Sequence, residues 1–188
     1  MDVQGGVSVA NVGAMSAEEI KMQFQRALYA LVEQPSEGQE RAVCTAFAVR
    51  PDLLATAAHC LVAIEKAAQR GSKFQATSCD EKNGIQAAIV RMWRHPGFML
   101  EGIEPSADVG IVQIDRGVLD QVALAGVQHL DSLSKHERLW LFGMTGETVR
   151  QSCYGAQVYA ASAQRVYQSP TKDHMPLELI EYATVLPS

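Results

Sequence analysis

Short apolar segments recur along most of the chain, divided by turn-forming residues at fairly even intervals. The pattern predicts strands over 43–49, 53–58, 73–79, 85–93 and 109–114, and again over 138–143, 153–161 and 178–185. Residues 80–84, Asp-Glu-Lys-Asn-Gly, carry an Asn-Gly pair that tolerates positive φ and signals a hairpin. Helical signals are few. Ser16-Ala17-Glu18-Glu19 has the Ser/Glu spacing of a capping box, so a helix is predicted to begin there, with Ile20, Phe24 and Ala27 on its inner face. Over 27–32 the apolar residues run without a break, and periodicity leaves helix and strand equally open. The first 15 residues show no period and read as a loose arm. Residues 34–38 read as a turn, and 116–136, without strand alternation, as the connection between two halves. Many short strands with little helix between them predict an all-β barrel or sandwich.

Composition narrows the function classes. With 188 residues, 47% hydrophobic and 20% charged, the chain is large enough for one sizeable core. Sixteen Lys and Arg against 21 Asp and Glu leave a net charge of −5. That balance argues against a nucleic-acid or anionic-membrane partner, both of which require a basic patch. The longest apolar run, 53–64, contains Thr56 and His59 and is too short to span a bilayer. The N-terminal residues have neither a basic region nor a continuous apolar stretch, so they do not read as a signal peptide.

The candidate chemistry lies in "CTAFAVRPDLLATAAHC", from Cys44 to Cys60, and in "DVGIVQID", from Asp108. His59 ends a predicted strand and precedes "LVAIEKAA", which suits a helical turn. Such a junction holds a side chain rigidly and leaves it exposed. An Asp that opens an apolar strand can accept the Nδ1 proton of an imidazole and fix its tautomer. Taken singly, a His among apolar residues is usually structural and an Asp before a strand is usually a turn residue. Other matches carry less. His95 reads as a turn residue, and His129, His136 and His174 as solvent-facing loop residues. Two Ser-x-x-Lys matches, Ser132 to Lys135 and Ser169 to Lys172, lack the companion motifs of the penicillin-recognising enzymes. Gly143-Met-Thr-Gly146 is better read as a turn than as a phosphate loop.

"TAAHC" preceded by "CTAFAVRPDLLA" resembles the histidine segment of the trypsin/chymotrypsin-like serine peptidases. "WRHPGF" (93–98), "DVGIVQID" and "LWLFGMTG" (139–146) resemble, in turn, the segment after the family's fifth strand, its catalytic Asp strand and the start of its second barrel. His before Asp is also the family's chain order, with Ser last. The resemblance runs from about Ala27 to the C-terminus and implies a double β-barrel with a short N-terminal helix. It divides the chain into an arm and helix at 1–26, a first barrel at 27–118, and a linker with part of a second barrel at 119–188. It implies His59 as general base, Asp108 as the group orienting it, and a disulfide between Cys44 and Cys60. The 16-residue offset of these cysteines is that of the family's bridge beside the histidine, and no CxxC or HExxH accompanies them as a metal set. No metal or cofactor is expected. Cys79 and Cys153 match no family bridge; a second bridge and free buried thiols are both open readings of them.

The sequence departs from the family at its end. No Gly-Asp/Asn-Ser-Gly-Gly motif is present to supply the nucleophile and its oxyanion donors. "IEYATVLPS" resembles what precedes that motif in bacterial members, and Ser188 has no following Gly. The resemblance therefore implies a serine endopeptidase truncated before its nucleophile, inactive as it stands and with its second barrel incomplete. The alternative is a non-catalytic homologue that acts as a protein-binding module. No Ile-Val-Gly-Gly-like N-terminus is present for digestive-type activation. The implied substrate is a protein or peptide, the implied compartment secreted or periplasmic, and an open sheet edge implies self-association.

Overall fold

A computed structural model describes residues 16–80, 84–100, 107–118 and 120–122, and the backbone of 138–143, 157–169 and 177–184. Cys153, His129, His136, His174, Ser132, Lys135, Lys172, Ser188, the turn at 144–146 and most of the 116–136 connection lie outside the described residues. The elements, in order, are α1 (Ala17–Gln25), β1 (Leu28–Gln34), β2 (Arg41–Arg50), β3 (Leu53–Thr56), α2 (Ala58–Ala68), β4 (Lys73–Ser78), β5 (Gln86–Arg94) and β6 (Gly110–Ile114). β7 (Arg138–Gly143), β8 (Gln157–Ser169) and β9 (Leu177–Thr184) follow. β1 to β6 close into an antiparallel barrel in the order β1-β2-β3-β6-β5-β4, with β4 returning to β1. β7, β8 and β9 form a three-stranded antiparallel sheet. Among the described residues the fold is thus mostly β, with one closed barrel and, after it, a sheet that is not closed.

α1 starts where its sequence predicts. Ser16 Oγ accepts the Glu19 backbone N–H at 3.3 Å, and Glu19 Oε2 accepts the Ser16 backbone N–H at 2.8 Å, so the capping box satisfies two otherwise orphaned donors. The helix ends at Gln25, so Ala27 does not extend its inner face; it is buried in the turn that leads into β1. The ambiguous run at 27–32 is strand. Tyr29 and Leu31 point into the barrel core, while Leu28, Ala30 and Val32 pack on the outer face with Cys79, Ala42 and Phe47. A strand buried on both faces loses the apolar/polar alternation that marks a half-buried one, which explains why periodicity could not identify it.

The core gathers Tyr29, Leu31, Leu54, Leu61, Ile64, Val112 and Ile114 around small alanines such as Ala46, Ala48 and Ala76. Leu61 and Ile64 come from α2, where the sequence suggested only a helical turn. The helix instead runs from Ala58 to Ala68, because Leu61, Ile64 and Ala67 at i, i+3, i+6 give it a buried stripe. β3 accordingly stops at Thr56, and His59 belongs to the first turn of α2 rather than to a strand end. β8 also runs eight residues past the predicted 161 limit, to Ser169.

One charged group is held within this apolar frame. Glu33 on β1 is 4% exposed. Its carboxylate accepts from Ser72 Oγ and from Arg41 Nε, both at 2.6 Å. The Ser72 hydrogen bond is the main reason its carboxyl lies below the usual range, with Arg41 adding to it and Arg70 contributing charge against the opposing effect of burial.

Candidate active site

The barrel's register brings two distant parts of the chain together. β3 and β6 pair antiparallel, with Thr56 opposite Gly110 at the end of the ladder. The chain leaving β3 and the chain entering β6 therefore emerge side by side. Three residues beyond Thr56 stands His59, and two residues before Gly110 stands Asp108, although 49 positions separate them in sequence. Thr56 anchors the junction from below, its buried hydroxyl donating to the Thr45 carbonyl at 2.7 Å. Nearby, the His95 backbone N–H donates to the Val109 carbonyl at 2.8 Å, and His95 Nδ1 accepts the Gly97 N–H at 3.1 Å. His95 is thus the turn residue expected from the sequence.

Asp108 holds His59 at two points. Oδ1 accepts the His59 backbone N–H at 2.8 Å, and Oδ2 lies 2.6 Å from His59 Nδ1. The backbone contact fixes the helix start, and the ring contact fixes the imidazole plane. Partial burial is the largest single influence on the Asp108 carboxyl and pushes it up. The hydrogen bonds from the His59 ring and backbone, the His59 charge and the Ala58 backbone N–H together outweigh it, and hold the carboxyl below its usual range. At neutral pH the group is therefore a carboxylate, which can only accept. The proton of the neutral ring must then sit on Nδ1, and the Nε2 lone pair is left available. Nε2 faces the Cys60 sulfur at 3.6 Å, and a disulfide sulfur has no hydrogen to donate. The imidazole is thus oriented by one carboxylate and half-exposed.

Cys44 on β2 and Cys60 in α2 form the expected disulfide, with Cα atoms 6.1 Å apart. The bridge ties the first turn of α2, and so His59, to the barrel wall. Cys79 is disulfide-bonded as well, which decides between the two readings the sequence left open; its partner lies outside the described residues. Among the described residues, Cys44, His59 and Cys60 are the one group of three side chains placed to share a metal ion. The bridge occupies both sulfurs.

A residue that the sequence reading passed over also shapes the site. An added Cβ at Gly110 would stand 2.7 Å from Leu61 Cδ1 and 3.3 Å from the Ala57 carbonyl oxygen. Only a glycine lets α2 lie this close against β6. Its signal in the sequence is a Gly in the middle of an apolar strand pattern, which often marks a close approach of another backbone.

Comparison with known proteins adds three findings. The family model described as Trypsin matches residues 12–176. The structure resembles that of neuropsin, a serine protease of mouse brain, with a TM-score of 0.53 and 16% identity over 75% of this chain and 60% of that one. It resembles that of the protein GrC with a TM-score of 0.53 and 14% identity, over 80% of this chain and 63% of that one. At these identities the likeness concerns the fold, and the chain spans about three-fifths of either protein's length. No curated protein matches the sequence.

Proposed function

The chain belongs to the trypsin family, and from that membership we propose that His59 is the general base and Asp108 its orienting partner in a serine endopeptidase site. The observation that carries this reading is the double contact of one carboxylate with His59, on Nδ1 at 2.6 Å and on the backbone N–H at 2.8 Å. A histidine serving only the core would not need its ring half-exposed and its tautomer fixed by an ionised group. In the proposed role Nε2 takes the proton of a nucleophilic hydroxyl as that oxygen attacks a peptide carbonyl. Asp108 stabilises the imidazolium that forms, and Nε2 then delivers the proton to the leaving amine.

The 188 residues contain no Gly-Asp/Asn-Ser-Gly-Gly segment to supply that hydroxyl and the backbone donors for the oxyanion. Base and nucleophile act as a unit, so this polypeptide holds a base without its substrate-attacking partner and does not cleave peptides. Proteins or peptides are the substrate class of the complete site. The Cys44–Cys60 bridge supports an oxidising compartment, secreted or periplasmic. Among the described residues no helix is long and apolar enough to cross a membrane.

The missing motif also supports a second reading, a peptidase homologue that binds a protein partner without cleaving it. Reading the coding DNA downstream of codon 188 and expressing the resulting chain separates the two. The endopeptidase reading expects an in-frame Gly-x-Ser-Gly sequence whose product is labelled by a fluorophosphonate probe, with labelling abolished by His59→Ala. A stop codon at that point supports the homologue. Labelling of the 188-residue chain itself would overturn the claim that its nucleophile is missing.

A further inference from the structure

We propose that Cys79 is bridged to Cys153, and that this link ties the C-terminal part of the chain to an apolar strip on the outer wall of the barrel. The chain has four cysteines. Cys44 and Cys60 are joined to each other, and Cys79 is disulfide-bonded to a residue outside the described ones. Cys153 is the remaining candidate, and it precedes β8 in the chain. The bridge therefore couples the barrel to the sheet of β7, β8 and β9 by a covalent bond.

The wall around Cys79 is built to be covered. A sheet face turned to water carries polar residues. Leu28, Ala30, Val32 and Cys79 face away from the barrel core, yet each is 7% exposed or less. The Cys79 backbone N–H donates to the Leu28 carbonyl at 2.9 Å, which seats the cysteine at this spot. Strand register carries the strip further round. Leu28 pairs with Phe47, Phe47 with Ala55, Ala55 with Ile111, and Ile111 with Trp93. Paired residues share a face of the sheet, so these five make one apolar row across five neighbouring strands. The row is buried at Leu28, beside Cys79, and reaches 46% exposure at Trp93. Its covered end is thus the end where the bridge leaves the barrel. α1 lies against both β1 and β8, which brings the sheet of β8 to the same flank. The occupant of the strip is accordingly the part of this chain that carries Cys153.

The link forms by exchange with a disulfide oxidant such as oxidised glutathione. The Cys79 and Cys153 thiols give it two electrons and two protons, and it departs as two thiols. A thiol reductant reverses the step, so the cohesion of the two parts depends on the redox poise of the compartment. None of this rests on the catalytic reading of His59.

The test uses the full oxidised chain. After free thiols are blocked by alkylation, non-reducing peptide mapping should yield one pair of peptides joining Cys79 to Cys153, from a chain that runs as a monomer on a denaturing gel. Alkylated Cys79 or Cys153, or a link between two copies, would overturn the bridge. Equilibration with glutathione followed by alkylation and mass spectrometry then reads the two bridges separately in one sample. Docking on the strip sets the effective concentration of the Cys79 and Cys153 thiols, so Phe47→Ala should make their bridge about tenfold easier to reduce. Cys44–Cys60 should shift much less, and serves as the control for general loosening of the barrel. Phe47→Leu, the milder change, should act in the same direction by a smaller factor. No shift in the Cys79–Cys153 bridge, or an equal shift in both bridges, would overturn docking on the strip.

Discussion

At the scale of single residues, the structure places its least typical side chains where each has a partner, and pH is the handle on them. Glu33 is buried with Ser72 and Arg41 on its two oxygens, and its carboxyl lies below the ordinary value of 4.5. The unfolded chain thus binds a proton there at higher pH than the folded one does. The stability that Glu33 contributes is complete above about pH 5 and is lost as acidity passes the depressed folded value. Urea melts of Glu33→Gln should therefore show lower stability than wild type at pH 7 and a shallower loss from about pH 5 downward. Parallel pH profiles for the two proteins would contradict the assignment. Residue-level chemistry was also the most legible part of the sequence. His59 and Asp108 stood out because "TAAHC" and "DVGIVQID" resemble the histidine and aspartate segments of the family, in its chain order, although each residue alone reads as structural. Gly110 was not singled out, because its role depends on Leu61, which only the fold brings against it. The bonding of Cys79 stayed undecided because a bridge between segments far apart in sequence leaves no local signal.

Elements were legible in proportion to how unequal their two faces are. β6 alternates buried Gly110, Val112 and Ile114 with less buried neighbours, and β3 and β5 each follow a turn signal in the sequence, Pro51-Asp52 and Asn83-Gly84, so all three were visible. β1 was ambiguous because both its faces are covered. α2 was underestimated because its identity depends on a buried stripe spread over three turns. This helix carries His59, and two constraints hold it. The first is Gly110. Leu61 is fully buried and cannot swing away from an added methyl, so Gly110→Ala should cost about 1–3 kcal/mol and displace the first turn of α2. The readouts are a thermal melt and the chemical shifts of the His59 ring. Leu61→Val in the same chain should recover part of the loss, and an unchanged melting temperature for Gly110→Ala would count against the close contact. The second constraint is the bridge, which closes a loop with a sequence separation of 16. Replacing both Cys44 and Cys60 by Ala should lower stability by about 3 kcal/mol, measured by denaturant unfolding against the oxidised wild type. A loss below about 1 kcal/mol would indicate that packing alone fixes the helix.

At the scale of the whole fold, the closed barrel and the three-stranded sheet set different expectations. The first barrel pairs every strand on both sides, so it presents no edge. In the second sheet β7 and β9 each pair only with β8 among the described residues. Such edges recruit further strands, so sedimentation of the 188-residue chain should show association that rises with concentration; a monodisperse monomer at all concentrations would contradict this. All-β architecture was legible from the number and spacing of short strands, but closure was not, since the pairing of β1 with β4 leaves no mark in local pattern. That closure, with β3 beside β6, is what carries His59 to Asp108 across 49 residues, and the functional account depends on their meeting as an oriented base. The most direct measurement is ¹⁵N–¹H NMR of the His59 ring at a pH where it is neutral, in the wild type and in Asp108→Asn. The account predicts a proton on Nδ1, seen as a far-downfield exchangeable resonance, with an unprotonated Nε2, and loss of that resonance in Asp108→Asn. A wild-type ring protonated on Nε2, or a ring spectrum that Asp108→Asn leaves unchanged, would contradict it.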